Sequence, residues 1–314
     1  MTNKYRKLSL CDGSSVRHTV DYLIAMLPIY FWSIFAFGAP GTHFVLAVSF
    51  SATVILSLCM QFAVLRRIDY RKLLTAVVVG FTLGFLMPPA APMWLVVLGA
   101  FIATVPFYLP YVGSYFTQYI HPIALALVLL SIFSKSMSAQ TSSLLLENTA
   151  EVTPLVSLLN GSVPKDGVYD LLIGRHSGLM GEVSVLMILA GGLYLFARKL
   201  IKLHAPLAML ASIAVLSYLF PITDEQPLAF LVAQMFSGGI FFTAVYLLPF
   251  TPTCPITNPG RIIYGIMCGV LTFVIRRFYS GFDGVFIALL LSAAIIRFID
   301  PFIQSKPIRW EREF

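Results

Sequence analysis

Ten stretches of almost unbroken apolar sequence dictate the solvent in which this chain can fold. They are Val20–Phe37, Phe44–Leu65, Leu73–Met87, Pro92–Leu109, Tyr119–Phe133, Val183–Ala197, Ala205–Phe220, Leu228–Leu248, Ile262–Ile275 and Val285–Ile299. A helix needs roughly 20 apolar residues to cross bilayer hydrocarbon. Only a helix or a closed barrel satisfies its own backbone there. A barrel would show short segments of alternating polarity, and these runs are continuous. Charged residues make up 11% of the 314 and apolar ones 58%, against about 25% charged in soluble domains. The expected fold is therefore an all-α, multi-pass integral membrane protein of about ten transmembrane helices. Several runs are short or carry Pro or Gly, so tilted or broken helices are expected among them.

The net charge of +7 is distributed as a membrane protein distributes it, and nucleic acid is not an expected partner. Lys4, Arg6, Lys7 and Arg17 precede the first run, and Arg66, Arg67, Arg71 and Lys72 follow the second. Arg198, Lys199 and Lys202 follow the sixth, and Lys306, Arg309 and Arg312 come after the last. With ten spans and both termini cytoplasmic, all four clusters lie inside, as the positive-inside bias requires. Arg276 and Arg277 then fall on the outer side, where they can snorkel to the interface or meet an anionic group.

The chain divides into a first membrane half, 1–133, a polar loop, 134–181, and a second membrane half, 182–314. The loop is expected outside the membrane, and its length marks it as functional or disordered. Proline-rich turns recur in both halves, at Met87–Pro92 and Thr251–Gly260. Two halves of five helices with interrupted spans are a common way to build a site at a repeat interface, although no residue-level repeat is visible. No cleavable signal peptide is expected. Cys11, Cys59, Cys254 and Cys268 stand too far apart for a metal site made by this chain alone.

Few residues can carry chemistry. Glu182 and Asp283 each stand beside a helix start, where the dipole favours a carboxylate and where an ion path is the alternative role. His121 precedes Pro122 at the head of the fifth run, where an interfacial or helix-start hydrogen-bonding role is expected over the alternative, a proton relay. Gly191-Gly192 and Ser237-Gly238-Gly239 suit close helix contact or the approach of a flat ligand. There is no GxSxG, HExxH, GxGxxG or P-loop pattern. The residues taken alone leave a transporter, a redox subunit and a structural subunit open.

Several segments in order resemble one family. Met87-Pro-Pro-Ala-Ala-Pro-Met-Trp-Leu-Val-Val-Leu-Gly99 resembles the proline turn and following helix of the D subunit of Rnf complexes. Tyr169–Gly174, Gly178–Ser184 and Gly191–Tyr194 are similar to its stretch after the flavin site. Thr257–Gly265, Ile275–Phe278, Gly281–Val285 and Phe298–Asp300 resemble its carboxy-terminal signature. The same fold occurs in the B subunit of the sodium-pumping NADH:quinone oxidoreductase, and the length of this chain favours the Rnf protein.

The resemblance implies a covalent FMN, joined through a phosphodiester to a threonine of an Asp-x-x-Ser-Gly-Ala-Thr-Pro-Leu motif. The aligned stretch here is Glu147–Leu155, with Thr153 as acceptor. Thr153, Pro154 and Leu155 match. Glu147 replaces the aspartate, and Ala150-Glu151-Val152 replaces Ser-Gly-Ala. Two other family segments are altered, to Thr117–Pro122 and Pro249–Thr251. The resemblance further implies a second flavin, riboflavin, held non-covalently. It implies partner subunits carrying iron–sulfur clusters and further flavin, a place in a bacterial or archaeal inner membrane, and electron transfer between ferredoxin and NAD coupled to Na+ or H+ transport. The alternatives are a small-solute or vitamin transporter and a flavin-free structural subunit of such a complex.

Overall fold

The computed structural model describes residues 14–66, 68–105, 108, 119–133, 154–159, 167–176, 178–221, 227–250, 253–255, 257–278 and 283–303. Among them the regular structure is helical, and a helix lies in each of the ten apolar runs. Helix α1 spans Ser14–Phe37 and α2 Ala39–Met60. Gly38, at φ 83°, makes the corner between them, and Pro40 sits in the first turn of α2, where its missing N–H costs no hydrogen bond. α2 continues as a π turn, Gln61–Leu65, and stops at left-handed Arg66. α3 is Tyr70–Phe85, α4 Met93–Thr104 and α5 Pro122–Phe133.

The stretch expected as one polar loop carries two short helices, α6 (Pro154–Leu159) and α7 (Val168–Ile173). Apolar residues drive this local order: Leu158 and Leu171 are buried. Gly174 then ends α7 in the left-handed conformation. The remaining helices are α8 (Val185–Ala197), α9 (His204–Leu219), α10 (Pro227–Phe236), α11 (Ile240–Phe242), α12 (Asn258–Phe278) and α13 (Gly284–Ile303). α11 runs directly into a π turn, Thr243–Leu247.

Three helices among the described residues are long and apolar enough to cross a membrane unaided: Val16–Phe37, Pro40–Val64 and Asn258–Phe278. A fourth span is formed if α10 and α11 with its π turn are taken together, bent by 58°. The other apolar helices have 10–17 residues. Large apolar side chains face outward, including Phe31, Phe35, Ile55, Phe62, Leu193 and Phe298. An aqueous surface does not carry apolar area on this scale, whereas acyl chains accept it.

α1 packs on α3 and α8; α2 packs on α3 and α4; α4 packs on α5. On the other side α9 packs on α10 and α12, and α12 on α13, which in turn meets α5. The segment 178–184 penetrates this core. Gly181 N–H donates to the Phe85 carbonyl at 2.7 Å, and Ser33 Oγ donates to the Met180 carbonyl at 3.0 Å. Met180 and Val183 are buried. These bonds satisfy backbone groups that would otherwise be costly inside an apolar core.

Candidate functional site

The eighth apolar run does not form a continuous helix. α10 ends at Phe236, and Ser237-Gly238-Gly239 turns the chain before α11 begins. Gly238 has φ 68°, a left-handed conformation that glycine adopts without steric cost. Space demands glycine as well: a Cβ there would lie 2.5 Å from both Arg276 Nη2 and Asp283 Oδ2.

The break wraps a buried ion pair. Arg276 Nε and Nη2 donate to Asp283 Oδ1 at 2.9 and 2.8 Å, and Nη2 also reaches Oδ2 at 2.9 Å. Arg276 Nη1 donates to the Gln234 carbonyl and Nη2 to the Ser237 carbonyl, each at 3.1 Å. These two carbonyls belong to the C-terminal end of α10, where a helix leaves acceptors unpaired and partly negative. Asp283 Oδ2 accepts the Gly239 N–H at 2.7 Å, and Oδ1 accepts the Val285 N–H at 3.2 Å. The aspartate therefore caps the start of α13 while neutralising the arginine. The side chains of the pair are 2% and 3% exposed, so water contributes almost nothing to their solvation. The sequence left Arg276 and Arg277 to snorkel at the interface or to meet an anionic group. In the structure Arg276 turns inward, and the anionic group it meets is Asp283.

Glu182 comes to the same break from the segment that precedes α8. Its Oε1 lies 2.9 Å from the position a Cβ on Gly239 would occupy. Glu182 does not cap α8; Ser184 does, its Oγ accepting the Met187 N–H. Structure thus unites Glu182, Arg276 and Asp283, which the sequence had placed only as separate boundary residues. One signal was available for the pair. An arginine and an aspartate seven residues apart, flanking a short connection between two apolar runs, can close on each other.

His121 takes the structural role expected of it. It is buried, its Nδ1 accepts the Ala124 N–H at 3.3 Å at the head of α5, and its ring lies 5.1 Å from that of Phe250. Gly191 is a site of close contact and has no room for a ligand, since a Cβ there would fall 2.0 Å from Tyr246 Oη and 2.1 Å from the Ala25 carbonyl. At one end of the α1–α8 contact, Asp21 accepts from Tyr194 Oη at 2.9 Å and from Arg198 at 3.0 and 3.2 Å. Cys59 is exposed, Cys254 half-buried and Cys268 buried, and none of the three is in a disulfide among the described residues.

Thr153, Glu147 and Asn160 lie outside the described residues. The residue after Thr153, Pro154, opens α6, and Leu158 of that helix is buried in a cluster with Phe230, Ala233 and Phe273. α6 is thereby seated against α10, the helix that ends at the break. A cavity of about 240 Å³ lies elsewhere, lined by His18, Tyr22, Thr75, Lys199, Pro249 and Phe250 among others.

An α-helical membrane bundle with a broken span around buried charges is the architecture of proteins that move ions or solutes. The sequence profile of the NQR2, RnfD, RnfE family matches residues 11–309, and the chain belongs to that family. Similar proteins include the D subunit of an ion-translocating oxidoreductase complex from Stutzerimonas stutzeri, 29% identical over 91% of each chain. The protein of the same description from Methanosarcina acetivorans is 30% identical over 91% of this chain and 89% of its own length. The D subunit of the Na+-translocating ferredoxin:NAD+ oxidoreductase complex of Acetobacterium woodii is 29% identical over 91% of this chain and 88% of its own.

Proposed function

We propose that this chain is a membrane subunit of an Rnf-type complex that passes electrons between ferredoxin and NAD and couples the transfer to Na+ or H+ transport. Family membership across almost the whole chain carries the assignment. The buried charges at a broken helix support it, because ionisable groups inside a bundle are costly and are kept where an ion must pass. The chain is not catalytic alone; its partners are the iron–sulfur and flavin subunits of the complex.

The architecture we propose is ten spans in two halves of five, with 134–181 between them on the outer side of the inner membrane and both termini cytoplasmic. The packing supports two halves. The first helices of the two sides, α1 and α8, meet each other, and so do the last, α5 and α13. The four basic clusters support the orientation. A cysteine replacing Asn160 is expected to react with a membrane-impermeant maleimide in intact cells; reaction only after lysis reverses the orientation.

Thr153 is proposed to carry FMN through a phosphodiester. Its hydroxyl is the required nucleophile, and α6, which follows it directly, is anchored against α10 by Leu158. For the second, non-covalent flavin, the cavity lined by Tyr22, Phe250 and Lys199 offers aromatic faces and a cation. The flavin supplies the one- and two-electron chemistry; the protein holds and orients it. In membrane vesicles carrying the whole complex, reduced ferredoxin is expected to drive NAD reduction together with ion uptake. Thr153→Val is expected to lower the intact mass of the denatured chain by one FMN and to abolish uptake. Acid extraction is expected to release a soluble flavin, in lower yield from Lys199→Ala. A wild-type mass equal to the bare polypeptide would remove covalent FMN, and full uptake in vesicles lacking this chain would defeat the functional assignment.

A further inference from the structure

The three ionisable groups at the helix break are not equivalent. Every guanidinium nitrogen of Arg276 is engaged, on Asp283 and on the carbonyls of Gln234 and Ser237. Both carboxylate oxygens of Asp283 are engaged too, by Arg276 and by the N–H groups of Gly239 and Val285. Their charges cancel, and neither has an open direction for a further ligand.

Glu182 is the remainder. The residue is 6% exposed, and Oε1 is buried with no hydrogen-bond partner among the described residues. That oxygen is aimed at the break, since both it and Asp283 Oδ2 flank the empty Cβ position of Gly239, at 2.9 and 3.5 Å. Ser237 Oγ, in the same turn, is also buried and unpartnered among the described residues. A single uncompensated carboxylate in such a place is strongly disfavoured unless a positive charge joins it. Arg276 is bound directly to Asp283, so the three ionised groups together carry one excess negative charge.

We infer that Glu182 binds one exchangeable monovalent cation at the break between α10 and α11, beside the Arg276–Asp283 pair, which stays fixed and neutral. The inference rests on the assignment of the chain to an ion-translocating complex. The cation is a proton or a sodium ion. Either fits a buried carboxylate oxygen facing the backbone of an interrupted helix. Asp283, the more obvious intramembrane acid by its position next to an arginine, is a structural group. The carboxylate that exchanges is the one without a salt bridge.

Dicyclohexylcarbodiimide, which adds to protonated carboxyls in apolar surroundings, tests this on membranes holding the whole complex. Peptide mass spectrometry is expected to find the adduct on Glu182, formed more than tenfold faster than any on Asp283. Protection by excess NaCl but not by KCl identifies sodium as the cation. Labelling that is indifferent to both salts and fades only as the pH is raised identifies the proton. Glu182→Gln is expected to remove the adduct while the chain keeps its flavin and its place in the complex, because the amide is neutral and nearly isosteric. Absence of labelling at Glu182 at every pH, or equal labelling of Asp283, overturns the inference. Labelling needs no electron donor, so its failure is distinct from failure of ferredoxin-driven uptake.

Discussion

Asp283→Asn is expected to destabilise the folded chain by about 3–5 kcal/mol, the usual result of removing one partner from a buried ion pair. The change is small in volume, so the loss comes from electrostatics. Arg276 would keep its charge with its side chain 2% exposed. The Gln234 and Ser237 carbonyls would remain, but an amide oxygen would replace the full carboxylate bound to it. The amide could also turn its NH2 toward the Gly239 N–H, which now donates to Oδ2 at 2.7 Å. Thermal denaturation of the detergent-solubilised complex, followed by size-exclusion chromatography of this subunit, measures the shift. Arg276→Met should cost a similar amount, since it strands the aspartate and frees the carbonyls of Gln234 and Ser237. The double variant Arg276→Met with Asp283→Leu restores charge balance, and buried pairs replaced by apolar residues are often tolerated. Recovery should be partial, because the Gly239 and Val285 N–H groups and both carbonyls would still lack partners. Single variants as stable as the wild type would mean that the pair does not hold the break together.

The second large effect is expected from Gly191→Ala. A methyl group at this position would lie 2.0 Å from Tyr246 Oη and 2.1 Å from the Ala25 carbonyl. The first of these can rotate away only by breaking the 2.7 Å hydrogen bond from Tyr246 Oη to that same carbonyl. The second is backbone of α1 and cannot move without separating α1 from α8. Overpacking typically costs about 1–3 kcal/mol, and an orphaned buried hydroxyl adds about 1–3 kcal/mol. The contact between α1 and α8 joins the first helices of the two sides, so assembly with partner subunits should fall as well. Adding Tyr246→Phe removes one clash and leaves the other, and should rescue only part of the loss. Gly192→Ala, whose methyl would meet mainly the Val245 side chain at 2.8 Å, should be milder. If Gly191→Ala matches the wild type in thermal midpoint and yield, α1 and α8 are not packed this closely.

Several features could be read directly along the chain because they depend on local composition. Continuous apolar runs established the membrane class and located the helices, since transfer free energy is summed residue by residue along a segment. Proline and glycine marked most of the corners. Pro40 stands in the first turn of α2, and Pro122 and Pro154 open α5 and α6. The order and spacing of short motifs from Met87 to Asp300 identified the family. His121 was correctly expected at a helix start because that role needs only its own neighbours.

Other features needed partners distant in sequence. Gly191 was ambiguous between helix contact and ligand space until Ala25 and Tyr246 came up against it. The stretch 134–181 looked like one loop, because six-residue helices such as α6 and α7 are too short to form unaided and gain their stability from burial of Leu158 and Leu171. Arg276 could equally have snorkelled to the interface or met an anionic group, because its sequence neighbours are a second arginine and a short connection between two apolar runs. Only tertiary structure turned it toward Asp283 and left Glu182, remote from both in the chain, as the unpaired acid beside them. Sequence determined that this chain lives in a membrane, roughly where its helices lie and which family it joins, because each of these is written in local transfer energies and motif spacing. Which charges cancel and which one remains was decided by the fold alone, because the energy of a buried charge is set by the groups that surround it in space.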